Sequence, residues 1–108
     1  MSFHRVALLD DLWRGEMRGY LVNGKKVLLV RGEESVHAYE DRCAHLGVPL
    51  SEGTLEGDVI TCSAHHYQYD ACTGRGVNPR SVCLKAFRVK VVDEVIYVDV
   101  DQETQANG

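Results

Sequence analysis

The chain has 108 residues, which predicts one domain and leaves no room for two catalytic domains. Apolar residues make up 44% and charged residues 26% of it, as in an ordinary globular protein. With 16 acidic against 12 basic residues the formal charge is −4, so a nucleic-acid partner is not expected.

Apolar runs such as residues 27–30 are too short to cross a membrane. No apolar stretch of the kind a signal peptide needs follows residues 1–5. We therefore expect a cytoplasmic protein whose four cysteines stay reduced, which favours metal binding over disulfides.

The predicted elements are short β-strands separated by turns. A strand at 3–7 is followed by a turn or single helical turn at 10–13, with Asp10 as its cap and Trp13 as a core anchor. Asn-Gly at 23–24, between strands at 17–22 and 26–31, is a strong hairpin signal. Further strands are predicted at 36–39, 59–61, 67–69, 86–92 and 95–100, with a frayed polar tail at 101–108.

No segment shows helical periodicity over three turns, so the predicted fold is all-β, a small sandwich or barrel. Two segments between the strands carry the chemistry. They are Cys43-Ala44-His45 and, after sixteen intervening residues, Cys62-Ser63-Ala64-His65.

Each of these loops offers one thiolate and one imidazole, and two such loops can close over one inorganic centre. Tetrahedral zinc accepts such a set, and so does a Rieske [2Fe–2S] cluster, which has two cysteines on one iron and two histidines on the other. Zinc fingers pair cysteine with cysteine and histidine with histidine along the chain. The mixed order of the two loops favours the cluster.

The chain resembles Rieske-type ferredoxins, most of all the small ferredoxin component of bacterial toluene and related aromatic monooxygenase systems. The segments that carry the resemblance are Ser-Glu-Gly at 51–53, Glu-Gly-Asp-Val-Ile-Thr-Cys-Ser-Ala-His at 56–65 and Thr-Gly-Arg-Gly-Val-Asn-Pro at 73–79, with 2–3 and 10–13. The resemblance covers nearly the whole chain and implies a single Rieske domain at 1–108. It implies an antiparallel β-sandwich whose two-loop tip holds one [2Fe–2S] cluster, with Cys43, His45, Cys62 and His65 as the cluster-binding and metal-binding residues.

The resemblance also implies a low reduction potential. Val48 and Ala64 stand where high-potential relatives carry a disulfide, and the hydroxyl donors of those relatives are not expected here. We therefore expect a potential at the low end of the Rieske range, near roughly −150 mV. Two ferric ions, two sulfides and two thiolates sum to zero charge, so reduction by one electron makes the cluster singly negative.

The function implied is that of a soluble, monomeric one-electron carrier with no catalysis of its own. It would pass electrons from an NADH-dependent flavin reductase to the hydroxylase of a diiron aromatic, toluene-type monooxygenase. The main alternative is the ferredoxin of a Rieske ring-hydroxylating dioxygenase. A small subunit of a nitrite-reductase-like enzyme and a zinc-stabilised binding module also stay open.

The catalytic part of a ring-hydroxylating oxygenase is rejected, because that enzyme needs a site of two histidines and a carboxylate within a substrate domain. His66 is expected at the surface of the cluster tip, and Cys72 and Cys83 as free thiols or small core residues. Acidic residues flank the cluster loops; each is expected in solvent, and together they suit a basic partner surface. They are Glu40, Asp41, Glu52, Glu56 and Asp58.

Overall fold

The computed structural model describes residues 3–32, 35–43, 48–63 and 66–105, and for 101–105 it describes the backbone alone. These ranges contain short strands and two one-turn 3-10 helices, Leu9–Asp11 and Leu50–Glu52. The strands are β1 (Phe3–Leu8), β2 (Met17–Val22), β3 (Lys25–Arg31), β4 (Val36–Glu40), β5 (Thr54–Glu56), β6 (Val59–Thr61), β7 (Gln68–Asp70), β8 (Gly76–Asn78), β9 (Lys85–Val92) and β10 (Val95–Gln105).

The larger of two sheets has the strand order β1-β10-β9-β4-β3-β2, with every neighbouring pair antiparallel. Its edge strands β1 and β2 approach each other, so the sheet curls toward a barrel. The β2–β3 hairpin turns at Asn23 and Gly24, whose φ angles of 49° and 82° lie in the left-handed region that these residue types tolerate. The predicted hairpin is thereby confirmed.

The smaller sheet is an antiparallel meander in the order β5-β6-β7-β8. Each of its strands has three residues, which is too short for an alternating pattern to stand out. β5 and β8 are accordingly absent from the strands predicted from the sequence, and β7 lies one residue later than its predicted range of 67–69. The all-β, antiparallel prediction is confirmed.

β3 is buried on both faces, which accounts for its unbroken apolar run. Val27 and Leu29 point into the core of the six-stranded sheet, and Leu28 and Val30 point toward the small sheet. The barrel core consists of Ala7, Leu12, Val22, Val27, Leu29, Ala38, Phe87, Ile96, Val98 and Val100. The tip core consists of Leu28, Val30, Tyr39, Cys43, Leu50, Ile60, Cys62, Tyr69, Ala71 and Leu84.

Three sequence predictions are wrong outside the cores. Asp11, not Asp10, bonds to the start of the first 3-10 helix, because its Oδ2 accepts the Leu8 N–H at 3.1 Å. Trp13 is 75% exposed, because the turn directs the preceding Leu12 inward in its place. The tail does not fray at residue 101, because β10 pairs with β9 through Gln105; residues 106–108 lie outside the described part.

Within the described ranges, no helix has the length and apolar character needed to cross a membrane.

Candidate metal centre

The two predicted cysteine ligands are buried in one core. Cys43 is 1% exposed and Cys62 is fully buried, and both side chains lie in the tip core. Cys43 follows β4 and Cys62 directly follows β6, so each cysteine begins the connection that leaves a strand end. The structure therefore brings together two thiol groups that lie nineteen positions apart in the sequence.

The two cysteine loops are closed by equivalent hydrogen bonds. The backbone N–H of Cys43 donates to the carbonyl of Val48 at 2.8 Å, and that of Cys62 donates to the carbonyl of Tyr67 at 2.8 Å. In both loops the bond joins a cysteine to the residue five positions later. The predicted ligands His45 and His65 fall inside these loops but outside the described residues, so their role stays a prediction.

A buried carboxylate fastens the base of the first loop. Asp41 is 5% exposed; its Oδ1 accepts the Ser51 N–H at 2.8 Å, and its Oδ2 accepts the Ser51 hydroxyl at 2.7 Å. Gly19 on β2 makes room for this pair, since a Cβ there would lie 2.6 Å from Oδ2. Asp41 was expected in solvent, and that expectation is wrong because this carboxylate replaces its hydration with two hydrogen bonds.

A hydroxyl group reaches one of the cysteine sulfurs. The Tyr69 hydroxyl lies 3.5 Å from Cys43 Sγ, and Tyr69 is fully buried on β7. When the sulfur is a thiolate ligand, the hydroxyl is the donor. The expectation that hydroxyl donors are missing is therefore wrong at this position. The signal in the sequence is a tyrosine four residues after His65.

A second buried tyrosine supports the small sheet. The Tyr39 hydroxyl donates to the carbonyl of Ala71 at 2.8 Å and joins β4 to the turn after β7. Burial, with the nearby Cys72 and Asp70 adding to it, raises the pKa of Tyr39 far above its ordinary value, so the hydroxyl stays a donor at neutral pH.

The other predicted surface residues are placed largely as expected. His66 is exposed and has a φ of 57°, in the left-handed region. Cys72 is exposed and Cys83 is partly buried, and both are free thiols. Glu52, Glu56 and Asp58 are exposed and Glu40 is partly buried, so only Asp41 departs from the solvated acidic set.

The described donor set fits the thiolate half of an iron–sulfur centre. Two buried cysteines share a core, and a phenol hydroxyl lies 3.5 Å from the sulfur of one of them. Elsewhere in the described ranges no three metal-binding side chains gather into a site of their own. A [2Fe–2S] centre, when bound, supplies one-electron chemistry.

The sequence profile of the Rieske [2Fe-2S] domain matches residues 2–104. The chain belongs to the Rieske [2Fe-2S] domain family. The prediction of a Rieske-type cluster is confirmed by this match, since the profile covers both cysteine loops.

Similar proteins are named as electron carriers. The chain is 46% identical over 87 residues to the ferredoxin component of the alkene monooxygenase system of Xanthobacter autotrophicus, covering 80% of this chain and 71% of the relative. It is 36% identical to the ferredoxin component of the naphthalene 1,2-dioxygenase/salicylate 5-hydroxylase systems of Ralstonia sp, covering 80% and 84%. The prediction of an electron-transfer component rather than a catalytic enzyme is confirmed.

Solved structures of similar proteins share the fold. The ferredoxin of carbazole 1,9a-dioxygenase from Nocardioides aromaticivorans superposes with a TM-score of 0.82 at 31% identity, over 91% of this chain and 97% of that one. A chain in a complex of reduced oxygenase and oxidised ferredoxin of carbazole 1,9a-dioxygenase gives a TM-score of 0.80 at 35% identity, over 89% and 91%. The Rieske-type architecture is thereby confirmed.

Proposed function

We propose that this protein carries single electrons from an NADH-dependent flavin reductase to an oxygenase component, as one monomeric cytoplasmic domain spanning residues 1–108. Cys43 and Cys62 hold one iron of the cluster, and His45 and His65 hold the other. The observation that carries the proposal is the pair of buried cysteines, which begin two loops with the same backbone closure in one core.

The protein's own groups perform three tasks in this function. The tip core keeps water from the two cysteines, which are 1% and 0% exposed. The Tyr69 hydroxyl donates to Cys43 Sγ and thereby stabilises negative charge on that sulfur. The exposed His66, next to the proposed ligand His65, marks a part of the tip that a partner can reach.

The oxygenase we propose is a diiron aromatic monooxygenase of the toluene type. Support comes from the resemblance of the segments around both loops and from the 46% identical relative, which serves a monooxygenase system. The second candidate is a Rieske ring-hydroxylating dioxygenase. It is favoured by the similarity to ferredoxins of naphthalene and carbazole dioxygenases.

A spectroelectrochemical titration followed by visible absorption and low-temperature EPR tests the carrier function. We expect a red-brown protein with a Rieske-type EPR signal and a negative midpoint potential. A colourless protein containing zinc would contradict the proposal. A positive midpoint would separate the chain from NADH-fed oxygenase systems.

Reconstitution then distinguishes the two oxygenases. The reduced protein is mixed separately with a diiron aromatic hydroxylase and with a ring-hydroxylating dioxygenase, and product formed per electron is measured. We expect coupled turnover with the hydroxylase, and none when this protein is omitted. Coupling with the dioxygenase alone would favour the second candidate.

A further inference from the structure

The two edges of the small sheet carry charge of opposite sign. On the β5 side, Glu52, Glu56 and Asp58 are exposed. Around β8 at the opposite edge, the exposed charged residues are Arg75 and Arg80. The second cysteine loop joins β6 to β7, so it lies between these edges.

Both arginines line one cleft of about 410 Å³ along β8, together with Asp70, Thr73, Gly76 and Val77. Among the described residues neither guanidinium group forms an ion pair or a hydrogen bond, although a carboxylate lines the same cleft. That carboxylate is occupied locally, because Asp70 Oδ1 accepts the N–H groups of Cys72 and Thr73. The two guanidinium groups are thus available to carboxylates from outside the molecule.

An apolar side chain stands between the two arginines. β7 pairs with β8 as Gln68 with Asn78 and Tyr69 with Gly76, and this register shift leaves Val77 as the extra residue. Val77 is 44% exposed. Gly76 is needed beside it, since a Cβ there would collide with the carbonyl oxygens of Pro79 and Val82.

The cleft lies close to the proposed centre. Tyr69, whose hydroxyl is 3.5 Å from Cys43 Sγ, pairs directly with Gly76 across one strand spacing of about 4.8 Å. Arg80 follows the end of β8 that pairs with Gln68, near where the second cysteine loop ends. A partner bound in the cleft is therefore adjacent to the cluster-bearing tip.

We propose that Arg75, Val77 and Arg80 form the docking surface for an acidic face of the electron-donating reductase. The proposal rests on the carrier function above. Two arginines that frame an exposed valine match a surface of carboxylates around an apolar contact, because arginine binds carboxylates in a bidentate fork.

The sign of the charge suits the donor rather than the acceptor. One electron leaves the reductase and is added to the carrier, no bond forms or breaks, and the carrier becomes more negative by one charge. An acidic partner therefore binds the oxidised carrier more tightly than the reduced one, so it loads the carrier and then releases it. The acidic β5 edge suits a basic acceptor, because a basic partner binds the reduced carrier more tightly than the oxidised one.

Stopped-flow reduction tests the docking surface. The probe is an NADH-dependent flavin reductase from a ferredoxin-dependent oxygenase system, chosen because it reduces the wild-type protein. The double variant Arg75→Gln/Arg80→Gln is compared with wild type at rising NaCl concentration. We expect its second-order rate constant to be at least about fivefold lower at low salt, with a flatter salt dependence.

The matched control is Glu52→Gln/Glu56→Gln, which removes two exposed charges from the other edge. It should be reduced as fast as wild type or faster. Oxidation of the pre-reduced arginine variant by the oxygenase should not slow, and its midpoint potential and EPR signal should match wild type.

Equal reduction rates for the arginine variant and wild type at every salt concentration would overturn the proposal, and so would a loss confined to the oxygenase step. Failure of the carrier function itself has a different signature. In that case no reductase reduces the wild-type protein, although its cluster is present.

Discussion

The barrel core and the tip core differ in what they bury. Apart from Phe87, every side chain in the barrel core is aliphatic. The tip core buries two cysteines and two tyrosines, and both tyrosine hydroxyls have partners. The side chains of the barrel core contribute buried apolar area, whereas the tip core also depends on hydroxyl groups that have to meet specific hydrogen-bond partners.

The largest expected effect is loss of a ligand from the tip core. Cys62→Ser should abolish the visible absorption and the Rieske EPR signal, because a serine hydroxyl is a poor ligand in place of a thiolate. Hydrogen exchange should become faster in β6 and β7 and stay slow in the β2–β3 hairpin. The control is Cys72→Ser, which changes an exposed thiol and should keep the cluster. A Cys62→Ser protein that retains its spectrum would refute the ligand assignment.

Substitution of two neighbouring leucines on β3 tests the two cores separately. Leu29 and Leu28 are both fully buried, but the first lies in the barrel core and the second in the tip core. Each change to alanine should lower the free energy of unfolding by roughly 2–5 kcal/mol. Only Leu28→Ala should also shift the EPR spectrum and the midpoint potential. Equal spectroscopic shifts in both variants would show that the cores are not independent.

Loss of one hydrogen bond between Ser51 and Asp41, at the base of the first cysteine loop, is expected to have a smaller effect. Ser51→Ala removes the hydroxyl bonded to Asp41 Oδ2 and leaves a buried carboxylate partly unsatisfied, which costs about 1–3 kcal/mol. We expect faster loss of visible absorption in the presence of a chelator. Glu52→Gln alters an exposed neighbour and should decay at the wild-type rate. Equal decay in the two variants would show that the Ser51 hydroxyl does not help to hold the cluster in the first cysteine loop.

The barrel was more predictable from the sequence than the tip. Asn23-Gly24 predicts the β2–β3 hairpin, and apolar and polar residues alternate over much of β9 and β10. Local sequence patterns are therefore sufficient to predict these strands. Strands β5 and β8 have three residues each, and their pairing depends on contacts made elsewhere in the fold. Asp41 shows the same limit, because its burial depends on a glycine 22 positions earlier in the sequence and on Ser51.

The ligand motif was predictable because its spacing is itself the signal, whereas Tyr69 was not recognised as a donor. A tyrosine in a strand of three residues is equally compatible with a surface or a core position. Only the packing of β7 against the first cysteine loop brings its hydroxyl within 3.5 Å of Cys43 Sγ. Chemistry that depends on one chain segment meeting another is visible only in three dimensions.

Tyr69→Phe tests that contact with a modest change. A hydrogen bond to a ligand sulfur favours the reduced, more negative centre, so its loss should lower the midpoint potential. A net bond of about 0.5–1.5 kcal/mol corresponds to roughly 20–65 mV for one electron. Tyr39→Phe is the control, because its hydroxyl bonds to the Ala71 carbonyl. An unchanged potential in Tyr69→Phe would mean that the hydroxyl does not donate to the sulfur.

The smallest expected effect concerns Cys72, the exposed thiol at the rim of the small sheet. Partial desolvation by neighbouring groups raises the pKa of Cys72, and the carboxylates of Asp58 and Asp70 raise it further, so little thiolate forms at neutral pH. Because the thiolate is the nucleophile, alkylation by iodoacetamide should be slow at pH 7 and rise with pH. Asp58→Asn removes one of the two charges and should move that rise to lower pH, with the same rate at high pH. Mass spectrometry locates the adduct, and Glu56→Gln is the control. If alkylation of Asp58→Asn at pH 7 were no faster than that of wild type, the Asp58 carboxylate would not act on the thiol.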